Sequence, residues 1–289
     1  MTVLSLFDGI SCGRVAFDRA GIPVEAYHAY EIDPYAVQIS EKNYPSIVHC
    51  GDVTVADFTQ YRSFDALIGG SPCQSLSITR GEIRTNLDGK SKLFFEYVRA
   101  KQEMDPTWFL FENVASMNEE SKAIISELLG CDPIFIDSKD FCAQQRPRLY
   151  WTNIPIDMSK LPTCAAVLKD ILQAADEVDV KLWYSEPLLN VDMSRQVCAT
   201  LDININEMHK RVFNPEFKCH TLTCVSGGNQ QKKVLQNGKP RKLTPLEYER
   251  LQTLPDNYTA GVSNGRRYTA IGNGWTVDVI AWILSQIPT

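Results

Sequence analysis

The stretch FDALIGGSPCQSLS, residues 64–77, joins two kinds of sequence. Its first half is a short apolar run closed by two glycines, which is the pattern of a strand buried in a sheet. Its second half sets a single thiol, Cys73, directly after a proline among small and polar residues. Pro72 locks its own φ and holds Ser71 extended. Cys73 is therefore presented at a fixed angle just past a strand end. A cysteine kept for packing needs no such frame, whereas one kept for attack does.

Working outward, the same strand pattern recurs with helices between. TVLSLF (2–7), VEAYHAYE (24–31), SIVHCGD (46–52) and TWFLFENV (107–114) read as strands. GRVAFDRAG (13–21), PYAVQISEKN (34–43), KLFFEYVRAKQEM (92–104) and KAIISELLG (122–130) read as helices, the second with Pro34 at its first position. Alternating strands and helices predict an α/β fold with a mainly parallel sheet covered on both faces. PIFIDSKDF (133–141) and RLYWTNIP (148–155) add two adjacent strands, antiparallel at one edge. From about residue 157 the pattern weakens into a small, loop-rich lobe. Order returns at RKLTPLEYERLQTLP (241–255), where Thr244, Pro245 and Glu247 form a capping-box start. The apolar GWTVDVIAWILSQI (274–287) is expected to be a buried helix of the first lobe. The expected division is 1–156 plus 267–289 for the larger domain and 157–266 for the smaller.

With 289 residues and 44% hydrophobic content, the chain can build one large core plus a smaller lobe. No run is apolar enough to span a membrane, and the N-terminus reads as a strand rather than a signal peptide, so a cytoplasmic protein is expected. Nine cysteines at irregular spacing, with no C-x-x-C pair, fit a reducing compartment. Cys219, His220 and Cys224 have no second pair at zinc-site spacing, so no metal is expected. The net charge of −6 is unusual for a nucleic-acid partner. Residues 210–242 run the other way, with Lys210, Arg211, Lys218, Lys232, Lys233, Lys239, Arg241 and Lys242 against a single acid, Glu216. A locally basic segment can hold phosphates on an acidic body.

In an open parallel sheet, ligands bind beyond the carboxyl ends of the strands. The segments that follow the strands here are Phe7–Gly13, Glu31-Ile32-Asp33, Asp52-Val53, Ser71-Pro72-Cys73-Gln74 and Glu112-Asn113-Val114. The glycines of the first loop stand four apart, so it lacks the dinucleotide fingerprint. Glu31 suits ribose hydroxyls, Asp52 an exocyclic amine, and Ile32 with Val53 the faces of a flat ring. Acids at these positions repel a pyrophosphate but suit a sulfonium cation, which favours S-adenosylmethionine over NAD. Cys73 and Glu112 together fit one reaction. Thiolate addition at C6 of cytosine, with a proton or strong hydrogen bond at N3, turns C5 into an enamine-like carbon that can take a methyl group. Glu112 must be partly protonated for this, so burial is expected to raise its pKa. Arg146 and Arg148, two apart on a strand, fall on one face and can contact the pyrimidine O2, orient Glu112 or favour the thiolate.

These residues resemble the DNA (cytosine-5) methyltransferases. The resemblance rests on FDGISCG (7–13), EIDPYA (31–36), GD (51–52), GGSPCQ (69–74), LFFEYVR (93–99), FENV (111–114), QQRPR (144–148), the 241–255 stretch and IGNGW (271–275). It leaves out roughly 157–240. It implies a Rossmann-like S-adenosylmethionine-dependent sheet with a small target recognition lobe. It further implies Cys73 as nucleophile, Glu112 at N3, and Arg146 and Arg148 in support. The implied cofactor residues are Phe7, Asp8, Gly9, Ile10, Cys12, Gly13, Glu31, Ile32, Asp52, Val53, Ser71, Leu93, Asn273, Gly274 and Trp275. Ser11 departs from the commoner bacterial pattern, which has glycine there. The core is similar to animal de novo enzymes, with bacterial or phage-type features at Gln74, QQRPR and GNG. The implied partner is double-stranded DNA, with the target base flipped out and Gln74, Ser77, Lys232, Lys233 and Arg241 on the DNA side. A bacterial or phage-infected cell is the implied setting. A restriction endonuclease partner and the oligomeric state stay open. So do three competing readings, a tRNA cytosine-5 methyltransferase, a transfer of another one-carbon or substituted-methyl group to C5, and a catalytically idle DNA-binding regulator.

Overall fold

The computed structural model describes residues 1–72, 92–225 and 227–288. Cys73, Gln74 and Ser77 lie outside these residues. The described chain separates into two compact units: residues 1–136, 147–159 and 279–289, and residues 137–146 and 160–278. The sequence reading closes the smaller segment at 266, whereas the units divide at 278/279.

The first unit is built on a seven-stranded sheet. Its strands are β1 (Thr2–Leu6), β2 (Ala26–Tyr30), β3 (Val48–His49), β4 (Ala66–Gly69), β5 (Trp108–Val114), β6 (Ile134–Asp137) and, after the two-residue β7 (Gln144–Gln145) of the second unit, β8 (Pro147–Thr152). The order across the sheet is β3-β2-β1-β4-β5-β8-β6. Pairings among β1 to β5 are parallel, and β5 meets β8 antiparallel. The antiparallel strand expected near one edge is therefore β8, with β6 outside it. The chain runs outward from β1 through β2 to β3, then restarts on the other side of β1 with β4. The switch point between β1 and β4 is where an open sheet of this kind leaves a crevice for ligands. Both the 7–13 loop and the 70–72 segment leave the sheet there, because Leu6 and Gly69 are register partners. Gly69 has to be glycine: a Cβ on it would lie 2.8 Å from the Leu6 carbonyl oxygen and 3.1 Å from the Tyr97 ring.

The helices of this unit are α1 (Cys12–Arg19), α2 (Pro34–Asn43), α3 (Lys92–Met104) and α4 (Glu119–Leu129). Asp33 caps α2 by accepting from the Tyr35 amide, Asn118 caps α4, and Gly130 ends α4 in the left-handed conformation. Phe94, Tyr97, Val98 and Met104 of α3 pack on Leu4, Leu67, Phe109 and Phe111 of the sheet. Burial of such large apolar side chains contributes about 2 kcal/mol each.

The second unit is more regular than its sequence suggests. It holds β9 (Leu188–Leu189), β10 (Val197–Leu201), a four-residue α5 (Glu207–Lys210), β11 (Arg211–Phe213), β12 (Cys219–His220), β13 (Lys233–Gln236) and β14 (Lys239–Lys242). Five of these strands form a sheet of order β14-β13-β11-β10-β9, and β12 pairs with β7. Then come α6 (Pro245–Leu251), α7 (Asn264–Asn273) and the start of α8 (Val277–Leu284), which passes into the first unit at Val279. The capping box at Thr244 and Glu247 is formed as expected. Helix α7 is not foreseen in the sequence reading. Among the described residues, no helix is long and apolar enough to cross a membrane.

Candidate functional site

The first unit gathers most of the expected residues at the carboxyl ends of its strands. The 7–13 loop bends through three residues of positive φ, Phe7 (58°), Gly9 (59°) and Ser11 (59°). Glu31, at the end of β2, ties this loop to its own turn. One carboxylate oxygen accepts from the Gly9 amide (2.9 Å), and the other accepts from the amides of Ile32 and Asp33 (both 2.8 Å). Ile32 is 74% exposed and offers an open apolar surface, whereas Val53, its expected partner across a ring, is 5% exposed and packs in the core. Asp52 is exposed and accepts from the Thr54 amide and hydroxyl, which hold its carboxyl below the usual range and keep it ionised.

Other expected cofactor residues face inward. The side chains of Ile10 and Cys12 are buried, Ser71 is buried, and Leu93 packs on the core from a half-buried position. Asp8 accepts from the hydroxyls of Ser5, Ser11 and Tyr27. Burial raises its pKa, and those three hydroxyl bonds pull against the rise. Its carboxylate is committed to holding the loop. Two carboxylates, one open apolar side chain and a tightly held glycine loop make a donor set that fits a cationic nucleoside such as S-adenosylmethionine. The two carboxylates disfavour a pyrophosphate.

At the end of β5, Glu112 meets Arg148 from β8, with Nε 2.6 Å from a carboxylate oxygen and both side chains 12% exposed. The register explains the meeting. Glu112 lies opposite Tyr150 and Val114 opposite Arg148, so Glu112 and Arg148 are diagonal neighbours. The Arg148 guanidinium also donates to the Pro147 carbonyl (2.9 Å), which fixes its plane. Arg148→Met is expected to release Glu112 from this orientation and, if the pair serves catalysis, to lower kcat about 100-fold, with Arg148→Lys falling between. Steady-state kinetics of the purified variants check this.

The second arginine has a different task. Arg146 belongs to the second unit, and its buried guanidinium donates to the carbonyls of Leu222 (2.9 Å), Gly272 (3.3 Å) and Gly274 (3.0 Å). Its spacing from Arg148 does not give the two a common partner among these bonds. Gln252 supports the same segment by donating to the carbonyls of Ile271 (3.0 Å) and Gly274 (2.9 Å). A Cβ on Gly272 would sit 2.5 Å from the Thr223 carbonyl oxygen, so the first glycine of GNG serves close packing. Asn273 is left exposed and Trp275 half-buried.

The expected DNA contacts in this unit need correction. Lys233 is 1% exposed, and its ammonium donates to the carbonyls of His209 (2.6 Å), Asn229 (2.6 Å) and Gln231 (3.0 Å). Burial, then the neighbouring Lys242 and Lys232 charges, push its pKa down to about 7. Arg241 is fully buried and bidentate on Glu247, at 2.6 and 2.8 Å. Neither side chain faces a phosphate; both hold the fold. Lys232 is half-buried, with its ammonium over the Phe213 ring, and burial lowers its pKa. Exposed basic side chains of the unit include Arg195, Arg211, Lys239 and Arg266. Sequence reasoning also missed Gln252, whose signal is no more than a glutamine at the end of a helix.

Comparison with known proteins gives a consistent picture. The model of the family described as C-5 cytosine-specific DNA methylase matches residues 1–289. The type II methyltransferase M.NlaX of Neisseria lactamica is 30% identical over 308 residues, covering 99% of this chain and 95% of that protein. The type II methyltransferase M.HhaI of Haemophilus parahaemolyticus is 26% identical, covering 98% of this chain and 93% of its own. The solved structure of the S. pombe Dnmt2 methyltransferase covers 99% of this chain and 97% of its own, with a TM-score of 0.69 at 17% identity, a likeness of fold.

Proposed function

The chain belongs to the C-5 cytosine-specific DNA methylase family and is an S-adenosylmethionine-dependent DNA methyltransferase; from that premise we propose that Cys73 and Glu112 carry the reaction on a cytosine turned out of duplex DNA. The duplex shields C6, so the base must leave the stack, at a cost of a few kcal/mol. The Cys73 sulfur, as thiolate, then bonds to C6. Glu112 holds N3 with a hydrogen bond or proton, so the displaced electron pair gathers at C5. Arg148 keeps the Glu112 carboxyl in place. S-adenosylmethionine, when bound, supplies the electrophilic methyl group that C5 takes up. The C5 proton then leaves to solvent or a nearby base, the C6–S bond breaks, and aromaticity returns with the thiolate regenerated.

The observation that carries this reading is the Glu112–Arg148 pair at the end of the strand beside β4, the strand that leads to Cys73. For the cofactor, the reading rests on Glu31, Ile32, Asp52 and the backbone of the 7–13 loop, with Asn273 to Trp275 assigned to it by resemblance. For DNA, it uses Gln74 and Ser77 beside the nucleophile. Exposed Arg211 and Lys239 replace the buried Lys233 and Arg241 as phosphate contacts.

The test combines labelled S-adenosylmethionine, mixed-sequence duplex DNA and, in parallel, tRNA, with the modified base located by sequencing. Label at C5 of cytosine in DNA is expected. Label in RNA alone would move the substrate to tRNA, and label in neither would leave a DNA-binding role without catalysis.

A further inference from the structure

Ser11 adopts φ 59° and ψ 38° at the start of α1, a left-handed conformation that glycine takes freely and serine does not. It is fully buried. Its hydroxyl donates to Asp8 and lies 2.5 Å from the Ser40 hydroxyl of α2. A hydroxyl carries one hydrogen, and the Asp8 carboxylate takes that of Ser11, so Ser40 donates to Ser11. The other Asp8 oxygen accepts from Ser5 of β1 and Tyr27 of β2 (2.7 Å). Asp8 therefore gathers hydrogen bonds from β1, β2 and the α1 start, and through Ser11 and Ser40 it reaches α2. The backbone is tied in as well: the Ser11 amide donates to the Asp8 carbonyl (3.1 Å), and the Asp8 amide to the Tyr30 carbonyl (3.2 Å).

We infer that Ser11 is a positioning residue for the cofactor loop: its hydroxyl, bonded to Asp8 and Ser40, holds the left-handed backbone that keeps the loop around Gly9 in its binding shape. Asp8 in turn supports the loop through its side chain and does not touch the ligand. The inference rests on the reading that this loop holds S-adenosylmethionine. A glycine reaches the same backbone shape without help. This chain instead uses a strained residue and offsets the strain with two side-chain bonds. The two designs make opposite demands on substitution, which gives the test.

Ser11→Ala keeps the strain and loses both bonds, so the loop relaxes away from the binding shape. The expected result is an increase of about tenfold in the cofactor Kd and KM, with kcat at saturating cofactor within about twofold. Ser11→Gly loses the bonds and the strain together and should return the Kd to within about threefold of the parent. Ser40→Ala removes one bond only. It should give an intermediate Kd, and it keeps the inference testable if Ser11→Ala fails to fold. Binding is measured by calorimetry with S-adenosylhomocysteine, alongside thermal melts and steady-state kinetics. Parent-like binding by Ser11→Ala, or Ser11→Gly binding as weakly as Ser11→Ala, overturns the positioning role while leaving the methyltransferase reading intact. A parent chain that binds no cofactor overturns both.

Discussion

Replacing Cys73 with alanine is expected to remove methyl transfer to DNA, a fall on the order of 10⁴ or more in kcat, with cofactor binding unchanged within about twofold. The size follows from the chemistry of cytosine. C5 of the intact ring is a poor nucleophile, and it becomes reactive only when a group adds at C6. No other side chain in the reading offers an attacking atom. Glu112, Arg148 and the bound cofactor then have nothing to act on. Glu112→Gln should cost less, about 10² to 10⁴, because its amide N–H can still donate a hydrogen bond to N3 but cannot transfer the proton. DNA carrying 5-fluorocytosine separates the two variants. After addition and methyl transfer, fluorine at C5 cannot leave as a cation, so the parent chain stays covalently attached to the DNA. The alanine variant should form no such adduct. Methylation by Cys73→Ala above about a hundredth of the parent rate would sink the covalent route. An adduct that survives the substitution would assign the nucleophile to another residue.

The residues that make this chemistry readable are those whose role depends on local order along the chain. A strand followed by glycines, a proline and a thiol locates a loop past a sheet end, and the sheet order puts the end of that strand at the β1/β4 switch point. Glu112 is legible in the same way, as the acid at the end of an apolar run. The capping box at Thr244 is legible because all its parts lie within four residues. What the sequence hides is the direction a side chain takes once the chain is folded, even where its partners lie close by in sequence. Lys233 and Arg241 look like phosphate ligands in a basic run, yet both turn inward, onto the carbonyls of His209, Asn229 and Gln231 and onto the Glu247 carboxylate. Counting charge cannot distinguish a lysine facing solvent from one holding three carbonyls. Helix α7 escapes for a related reason. Its buried residues, Tyr268, Ala270, Ile271 and Gly272, span little more than a turn, and its glycines and asparagines imitate a loop. The five-stranded sheet has strands of two to five residues, too short for alternation to emerge.

Glu247→Ala is expected to destabilise the second unit by about 3–5 kcal/mol, the usual cost of stranding a buried charge. In a thermal melt this corresponds to a fall of about 10 °C. Arg241 and Glu247 are both fully buried, and the guanidinium also donates to Gln236 (2.6 Å) and to the Lys242 carbonyl (2.9 Å). Glu247 serves two further donors, the amides of Gln173 and Thr244 (both 2.8 Å). Removing it therefore strands one guanidinium and two amides, and it opens the N-terminus of α6. The double variant Arg241→Met with Glu247→Leu removes the charge together with its partner. It should be less destabilised than Glu247→Ala alone, since the two amides are then the main loss. Paired melts of parent, single and double variants decide the matter. A double variant that melts below the single one would mean that the ion pair contributes net stability beyond the cost of taking both charges out of water. A single variant within about 1 kcal/mol of the parent would mean that water or a rearranged side chain reaches the vacated site.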